Sequence, residues 1–323
     1  MNLHKDPELF KELIIASSQA LNLREVLIEK DYWVTYVLKN LSENVELSSQ
    51  VVFKGGTSLS KAYRVIDRFS EDIDLALITD NESGNKIKSM LKRVEKGIVG
   101  ELTEIQVEGI TGKYSKYRKT VYEYPQIIEG QDFGQTTDKL LLEINSFTNP
   151  IPYSKMYVQS YAKDFLDSLN DTETIEKYNL EAVSLNVLSI ERTFVEKLMN
   201  LVRLSYREDN IDQLKSKVRH LYDLHLLLLH PKIQELLTSK SELSKVIELI
   251  KVDDSNNHEF KGDWIGNRLQ DSPLFKDNLY TNSAIESTYN IDFKGLVFNE
   301  LPKFELVSSS ISKIEDILIQ FSF

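Results

Sequence analysis

Two glycines, followed at a distance by two aspartates, constrain this chain more than any other feature of its sequence. Gly55 and Gly56 come directly after a short apolar run, and Asp72 and Asp74 lie in a segment whose alternate residues are apolar. Alternation with a period of two predicts a strand. Both carboxylates are therefore expected to leave the same face of that strand and to point toward the glycine turn.

The segment between the glycines and the aspartates is predicted to begin as a helix. Thr57 or Ser58 can cap its N-terminus, and the helix is expected to run to about Arg68. A helix N-terminus offers N–H groups to a phosphate, and glycines let the backbone approach a ligand closely.

The paired aspartates form a candidate site for Mg²⁺, which binds carboxylate and phosphate oxygens. Without a cation, two like charges about 4 Å apart cost roughly 4 kcal/mol at an effective dielectric near 20. This pattern indicates phosphoryl or nucleotidyl transfer. The alternative is a strand–helix turn with two surface aspartates.

Composition limits the class of protein. The chain has 323 residues, a net charge of −11, and no cysteine, which excludes disulfides and thiolate chemistry. No apolar run approaches the roughly 20 residues that span a bilayer, and the N-terminus lacks a signal-peptide pattern. We therefore expect a cytoplasmic protein with no membrane contact. The net negative charge argues against a protein that binds nucleic acid over its whole surface, but it is compatible with one basic groove.

The spacing of apolar residues predicts an α+β protein. We expect a mixed sheet flanked by helices over residues 1–150, including N-terminal helices, and a mainly helical domain over residues 151–323, with Pro150 near the boundary. A polar turn is expected at residues 80–84 and a loop around residues 253–262.

Two further segments of the predicted sheet carry candidate residues. Lys113–Lys119 interleaves basic residues with Tyr114 and Tyr117, a composition that can hold phosphates and stack bases, although a solvated hairpin tip is the simpler interpretation. Glu143 lies inside the apolar run of a later strand. A charged residue among apolar ones is rarely buried without a partner. Either a position near a metal ion or an ion pair with an arginine would explain Glu143 at this place.

Two predicted helices in the second half contain charged residues near apolar faces. Ser189 can cap the first, and Lys197 lies on or beside its apolar face, where a snorkelling surface lysine is the alternative. On the second, Asp223 shares a face with Arg219 and His220. An exposed ion pair between Arg219 and Asp223, worth under about 1 kcal/mol, is the alternative to a functional aspartate.

These motifs together resemble a known family. Lys54-Gly-Gly-Thr-Ser-Leu-Ser-Lys61 and Phe69-Ser-Glu-Asp-Ile-Asp-Leu75 are similar to the AbiEii/MenT nucleotidyltransferase toxins, a branch of the DNA polymerase β-like superfamily. Glu196-Lys197 and the Arg-His-x-Tyr-Asp-Leu sequence that contains Asp223 match further motifs of the same toxins. The gap between the first two motifs is slightly longer than usual for the superfamily.

The resemblance implies a bacterial toxin that transfers a nucleoside monophosphate from an NTP to an acceptor, often the 3′ end of tRNA, under control of an antitoxin. It implies magnesium, or manganese in its place, as the cofactor. The implied catalytic residues are Asp72, Asp74, Lys197 and Asp223. The implied nucleotide-binding residues are Gly55, Gly56, Thr57, Ser58, Lys61 and Arg219. The implied metal ligands are Asp72, Asp74 and Glu143.

Two other functions remain open from the sequence. A P-loop NTPase is disfavoured because Ser60 stands where glycine should precede the lysine and Ala62 where serine or threonine should follow it. A non-catalytic nucleotide-binding or interaction module is disfavoured because the complete set of implied catalytic residues is present.

Overall fold

A mixed β-sheet is the centre of the first part of the chain. The computed structural model describes residues 1–70, 72–79, 82–130, 137–257 and 262–323. Within these ranges the strands are β1 (Val51–Lys54), β2 (Ile73–Leu77), β3 (Thr103–Ile105), β4 (Gly112–Lys113), β5 (Tyr117–Glu123), β6 (Leu140–Asn145), β7 (Tyr153–Val158) and β8 (Val183–Leu188). Residue 71, and parts of the turn and loop predicted at 80–84 and 253–262, lie outside the described residues.

The sheet combines parallel and antiparallel pairs. Its order is β3-β5-β6-β2-β1-β8-β7, with β4 beside β5. Strands β2 and β6 are parallel, as are β1 and β8, and the other pairs are antiparallel. Parallel neighbours need a crossover rather than a hairpin, and helices occur in both of these connections.

Helices make up most of the remaining structure. Over the described residues they are α1 (Pro7–Leu21), α2 (Glu25–Glu43), α3 (Val45–Ser48), α4 (Gly55–Ser58), α5 (Gly84–Ile98), α6 (Tyr161–Leu169), α7 (Thr172–Lys177), α8 (Ile190–Ser205), α9 (Asn210–Ser216), α10 (Val218–Leu227), α11 (Pro231–Thr238), α12 (Lys240–Ser255), α13 (Pro273–Lys276), α14 (Ser283–Ile291) and α15 (Phe304–Phe321). A π-helical turn, Leu59–Tyr63, continues α4. No helix in the described ranges combines the length and apolar character needed to cross a bilayer. The predicted α+β class is confirmed.

The chain divides into two compact units. The first contains Met1–Arg64, Phe69–Ser146 and Tyr153–Leu188, and the second contains Val65–Arg68, Phe147–Pro152 and Ser189–Phe323. The predicted second domain begins at residue 151, whereas the structure groups 153–188 with the first unit because β7 and β8 extend its sheet.

One face of the sheet in the first unit is covered by helix α5, and the candidate carboxylates of β2 and β6 lie on the opposite face. Arg118 and Tyr122 of β5 contact Glu95 of α5, so α5 covers this side. Side chains two residues apart on a strand share a face, and neighbouring ones point to opposite faces. The half-buried Asp74 and Glu143 therefore lie on the face opposite α5, whereas the alternate positions of β2 and β6 are buried and apolar.

The second unit is built from helices. Phe194 and Leu198 of α8, Leu221 of α10, and Ile311 and Ile314 of α15 are all buried in its core. Three aromatic residues of the C-terminal part are also buried: Trp264, Phe275 and Tyr280.

Candidate active site

The diglycine turn lies directly against the second aspartate of the Asp-x-Asp motif. Gly55 has φ +80°, a left-handed conformation that L side chains rarely adopt. A Cβ at this position would lie 2.9 Å from Cγ of Asp74. Only glycine therefore lets the carboxylate and the start of the helix come this close.

Hydroxyl groups after the glycines connect the helix to the chain that enters β2. Thr57 Oγ1 donates to the carbonyl oxygen of Asp72 at 2.5 Å and lies 2.9 Å from the hydroxyl of Ser70. Ser58 Oγ donates to the carbonyl of Gly55 at 2.8 Å. Both hydroxyls therefore fix the backbone around the aspartates.

The predicted cap and length of this helix were wrong. Lys54 occupies the N-cap position and provides no side-chain cap, because the helix already begins at Gly55 and the Thr57 hydroxyl bonds to other groups. The helix ends at Tyr63 rather than near Arg68, since Arg64 adopts a left-handed conformation with φ +55°.

A row of charged residues crosses four neighbouring strands at the level of Asp74. Glu143 of β6 is in register with Asp74, and Lys54 of β1 faces Asp74 from the other side. Lys119 of β5 lies opposite Glu143, with 3.6 Å between Nζ and Oε2. The partner of Glu143 is thus a lysine and not the arginine considered from the sequence. The flanking cations reduce the repulsion between the two central carboxylates.

Lys61, which the family resemblance assigns to nucleotide binding, is buried in an ion pair. Its Nζ lies 2.5 Å from Oδ1 of Asp31 and donates to Thr35 Oγ1 at 2.9 Å and to the carbonyl of Gln159 at 3.2 Å. These bonds connect the diglycine helix to α2 and to the segment before α6. Lys61 thus has an internal carboxylate partner, and its role in nucleotide binding stays a prediction.

The predicted lysine and aspartate of the second unit form a buried ionic cluster with an arginine. Asp223 receives two hydrogen bonds from Arg68, from Nε to Oδ1 and from Nη2 to Oδ2, each at 2.7 Å. Lys197 Nζ lies 2.7 Å from Oδ2 of the same carboxylate. All three side chains are buried. Asp223 therefore pairs with Arg68 and Lys197 rather than with Arg219, and the surface ion pair considered from the sequence is wrong.

The electrostatics of this cluster keep it ionised. Burial alone would raise the pKa of Asp223, but the charges and hydrogen bonds of Arg68 and Lys197 outweigh it and hold the pKa well below its usual value. Burial and the nearby positive charge of Lys197 lower the pKa of His220 well below its usual value, so this imidazole is neutral at pH 7. Arg219 is half-buried and makes no ion pair with any described residue.

Two residues in these clusters were missed from the sequence. Arg68 was placed at the end of the predicted helix and gave no periodic signal, but it lies only four residues before Asp72. Asp31 belongs to Glu29-Lys30-Asp31, three consecutive charged residues inside an apolar helix, and all three are buried. Such a run could have suggested buried ionic partners. The first unit therefore brings together Gly55, Asp74 and Glu143, and the second brings together Lys197 and Asp223.

Comparison with known families identifies the class of protein. Residues 37–278 match the sequence model of a protein family described as the nucleotidyl transferase AbiEii toxin of a type IV toxin–antitoxin system. The chain belongs to this family. This member of the AbiEii family is accordingly a nucleotidyltransferase and a toxin, and its family implies an antitoxin partner. The resemblance inferred from the motifs is confirmed. The comparison with curated proteins gives no match.

A solved structure of low sequence identity shows the same fold. MenT4, a nucleotidyltransferase toxin from Mycobacterium tuberculosis H37Rv, superposes with a TM-score of 0.59 at 15% identity, covering 95% of this chain and 89% of that chain. JHP933 from Helicobacter pylori aligns over 93% of this chain and 100% of its own at 16% identity, with a TM-score of 0.37. At this identity the similarity to MenT4 shows the fold alone.

Proposed function

We propose that this toxin transfers a nucleoside monophosphate from an NTP to the 3′ end of an RNA, with tRNA as the acceptor. The observation that carries the proposal is the close approach of Gly55 to Asp74, with Glu143 in register beside it. A glycine turn can bind phosphate oxygens through its backbone N–H groups, and the neighbouring carboxylates can bind a cation that contacts the same phosphates.

The proposed site includes a divalent cation, magnesium or manganese, held by Asp72 and Asp74 with Glu143 beside them. The donor set fits, because carboxylate oxygens are preferred ligands and Mg²⁺ usually binds one or two carboxylates together with substrate phosphates. Within the described residues no group of three or more His, Cys, Asp or Glu side chains could hold a metal ion, so substrate oxygens would have to complete its coordination. Such a cation would neutralise phosphate charge and activate the attacking hydroxyl.

The other residues of the proposed site would bind the triphosphate and stabilise its charge. Backbone N–H groups at Gly55 and Gly56 would face the triphosphate, while Thr57 and Ser58 hold that backbone in place. In the second unit, Lys197 would neutralise charge that develops on the phosphates. Asp223 would hold the Lys197 ammonium in position.

A transfer assay tests this function. Purified protein is incubated with each labelled NTP, Mg²⁺ and bulk tRNA, and we expect label on tRNA with one or more nucleotides. Oxidising the 3′-terminal diol of the tRNA with periodate should prevent labelling, since the proposed nucleophile is the 3′ hydroxyl. Omitting Mg²⁺ or adding a chelator should have the same effect.

Matched variants separate catalysis from general charge effects. Asp74→Asn should abolish transfer, whereas Asp212→Asn, which removes a carboxylate that is 77% exposed on α9, should not. Free phosphate release without transfer would instead indicate an NTPase. Nucleotide binding without either reaction would indicate a non-catalytic module and would refute the proposal.

A further inference from the structure

The hairpin of β4 and β5 ends in a tight turn that is fixed to the sheet. The Tyr114 N–H donates to the carbonyl of Tyr117 at 2.7 Å and closes the turn. The N–H and the hydroxyl of Ser146 both donate to the carbonyl of Lys116, at 3.0 and 3.2 Å. The tip is therefore held by hydrogen bonds at its base and along its side.

An exposed aromatic ring is held in place at this tip. The Tyr114 side chain is 65% exposed and lies parallel to the Tyr117 ring within 13°, with 6.4 Å between the ring centroids. A Cβ at Gly112 would lie only 2.6 Å from Cε2 of the Tyr114 ring. Glycine at that position is thus required for the ring to lie over the strand. An exposed ring in a fixed orientation is suited to stacking against another planar group.

The aromatic pair lies on the same face of the sheet as the candidate catalytic carboxylates. Tyr117 and Lys119 are two residues apart on β5 and so share a face, and Lys119 contacts Glu143. Tyr117 is opposite Asn145, which is in register with Ala76, two residues beyond Asp74. Strand spacing and rise per residue place the backbones of Tyr117 and Asp74 about 12 Å apart.

The tip also carries positive charge on an acidic protein. Residues 112–119 contain four basic and no acidic residues, whereas the chain has a net charge of −11. Arg118 and Lys113 pair with Glu95, and Lys119 pairs with Glu143. Lys116 is exposed and makes no ion pair with any described residue. Its ammonium group therefore remains available for a phosphate beside the exposed ring.

We propose that Tyr114 and Lys116, at the hairpin tip on the same sheet face as Asp74, bind the single-stranded 3′ segment of the acceptor RNA. This inference rests on the proposed transfer to RNA and identifies where the acceptor lies. A base stacks on Tyr114 and its backbone phosphate meets Lys116. A few nucleotides of extended strand then cover the distance to the carboxylates, so that the terminal hydroxyl reaches them.

A direct binding measurement tests this RNA-binding platform, formed by Tyr114 and Lys116, independently of catalysis. The probe is a fluorescein-labelled, short single-stranded RNA with a free 3′ hydroxyl, titrated with the full chain and followed by fluorescence anisotropy. Tyr114→Ala should weaken binding about 5- to 150-fold, the range typical for loss of one stacked base. Tyr114→Phe keeps the ring and should bind like the wild type. Lys116→Gln should reduce the slope of log K against log salt by about 0.7, since one phosphate contact is lost.

A matched control is available at the other edge of the sheet. Tyr157 of β7 is 72% exposed, and its side chain forms no ring contact or hydrogen bond with a described residue. Tyr157→Ala should leave RNA affinity unchanged. Equal weakening by the two alanine variants, or no weakening by Tyr114→Ala, would overturn the platform. So would a blunt RNA duplex that binds as tightly as the single strand, or an antitoxin that binds this tip while RNA does not.

Transfer kinetics separate failure of the platform from failure of the proposed function. Tyr114→Ala should raise the KM for RNA and leave the KM for NTP unchanged. If wild-type protein transfers label to RNA and Tyr114→Ala has the same KM for RNA, the platform is refuted and the function stands. If the wild type binds RNA through Tyr114 but transfers nothing, the proposed function fails and the binding site stands.

Discussion

Removing Arg68 should destabilise the second unit strongly, because it leaves a buried carboxylate with one of its two cationic partners missing. Arg68 is 1% exposed and makes two hydrogen bonds of 2.7 Å to Asp223, which is fully buried. Breaking a buried ion pair by removing one partner costs about 3–5 kcal/mol. We therefore expect Arg68→Met, which keeps much of the side-chain volume, to lower the free energy of unfolding by about this amount.

An exposed arginine with similar bonds provides the control. Arg93 Nη1 lies 2.6 Å from Glu46 Oε1, its Nη2 donates to Gln50 Oε1 at 2.6 Å, and its side chain is 47% exposed. Because water solvates both partners, Arg93→Met should cost under about 1 kcal/mol. Urea unfolding followed by circular dichroism and tryptophan fluorescence measures both variants. An equal decrease in the free energy of unfolding for the two variants would refute the reasoning that burial increases the contribution of the Arg68–Asp223 pair.

The pH dependence of the same variant gives a second measurement. The pKa of Asp223 is lowered in the folded protein, so its contribution to stability is present above the unfolded pKa near 3.8 and is lost as pH falls through the folded value. Without Arg68, burial should raise the folded pKa of Asp223. The difference in stability between the wild type and Arg68→Met should then shrink as the pH is lowered from 7 toward 4, since the variant can protonate this carboxyl.

Three further predictions concern residues of the first unit. Gly55→Ala should abolish transfer because its Cβ would meet the carboxylate beside it, whereas Gly109→Ala, with a similar φ of +76° and open space around it, should retain activity. Burial raises the folded pKa of Glu29 to about 7 from 4.5, against the opposing hydrogen bonds of two backbone N–H groups, so stability should fall as pH rises between these values. Glu29→Gln should remove that slope, worth up to about 3 kcal/mol. Lys61→Met and Asp31→Asn should each destabilise the protein, with a coupling of about 0.5–3 kcal/mol in a double-mutant cycle.

Each of these three has a result that would contradict it. Retained transfer by Gly55→Ala would show that the close approach to Asp74 is not needed for catalysis. An unchanged slope of stability against pH in Glu29→Gln would mean that another group titrates there. Strict additivity of the Lys61 and Asp31 variants would show that the two side chains do not stabilise each other.

Local signals in the sequence predicted several elements well. Alternation of apolar residues located β2, which contains Asp74 and begins directly after Asp72. The hydroxyl of Ser189 accepts the N–H of Arg192 at 3.1 Å, as expected of a helix cap. These features depend on neighbours within a few residues, so the sequence contains the information directly.

Helix ends and strand membership were predicted less well. The diglycine helix stops at Tyr63 because Arg64 takes a left-handed conformation that no glycine or proline announces. Residues 153–158 and 183–188 join the sheet as β7 and β8, although Pro150 suggested a boundary before them. Strand pairing between distant segments depends on the register of the whole sheet rather than on local composition.

The sequence by itself predicted a glycine turn, a strand after it that contains Asp74, and a lysine and an aspartate on later helices. Only the tertiary structure decided which charges meet. Arg68 and Asp223 are 155 positions apart in the chain, and Lys61 pairs with Asp31 of α2. The sequence shows which residues are charged, but it does not show their partners. A charged group that is buried must pair with an opposite charge, and the tertiary structure decides which one lies beside it.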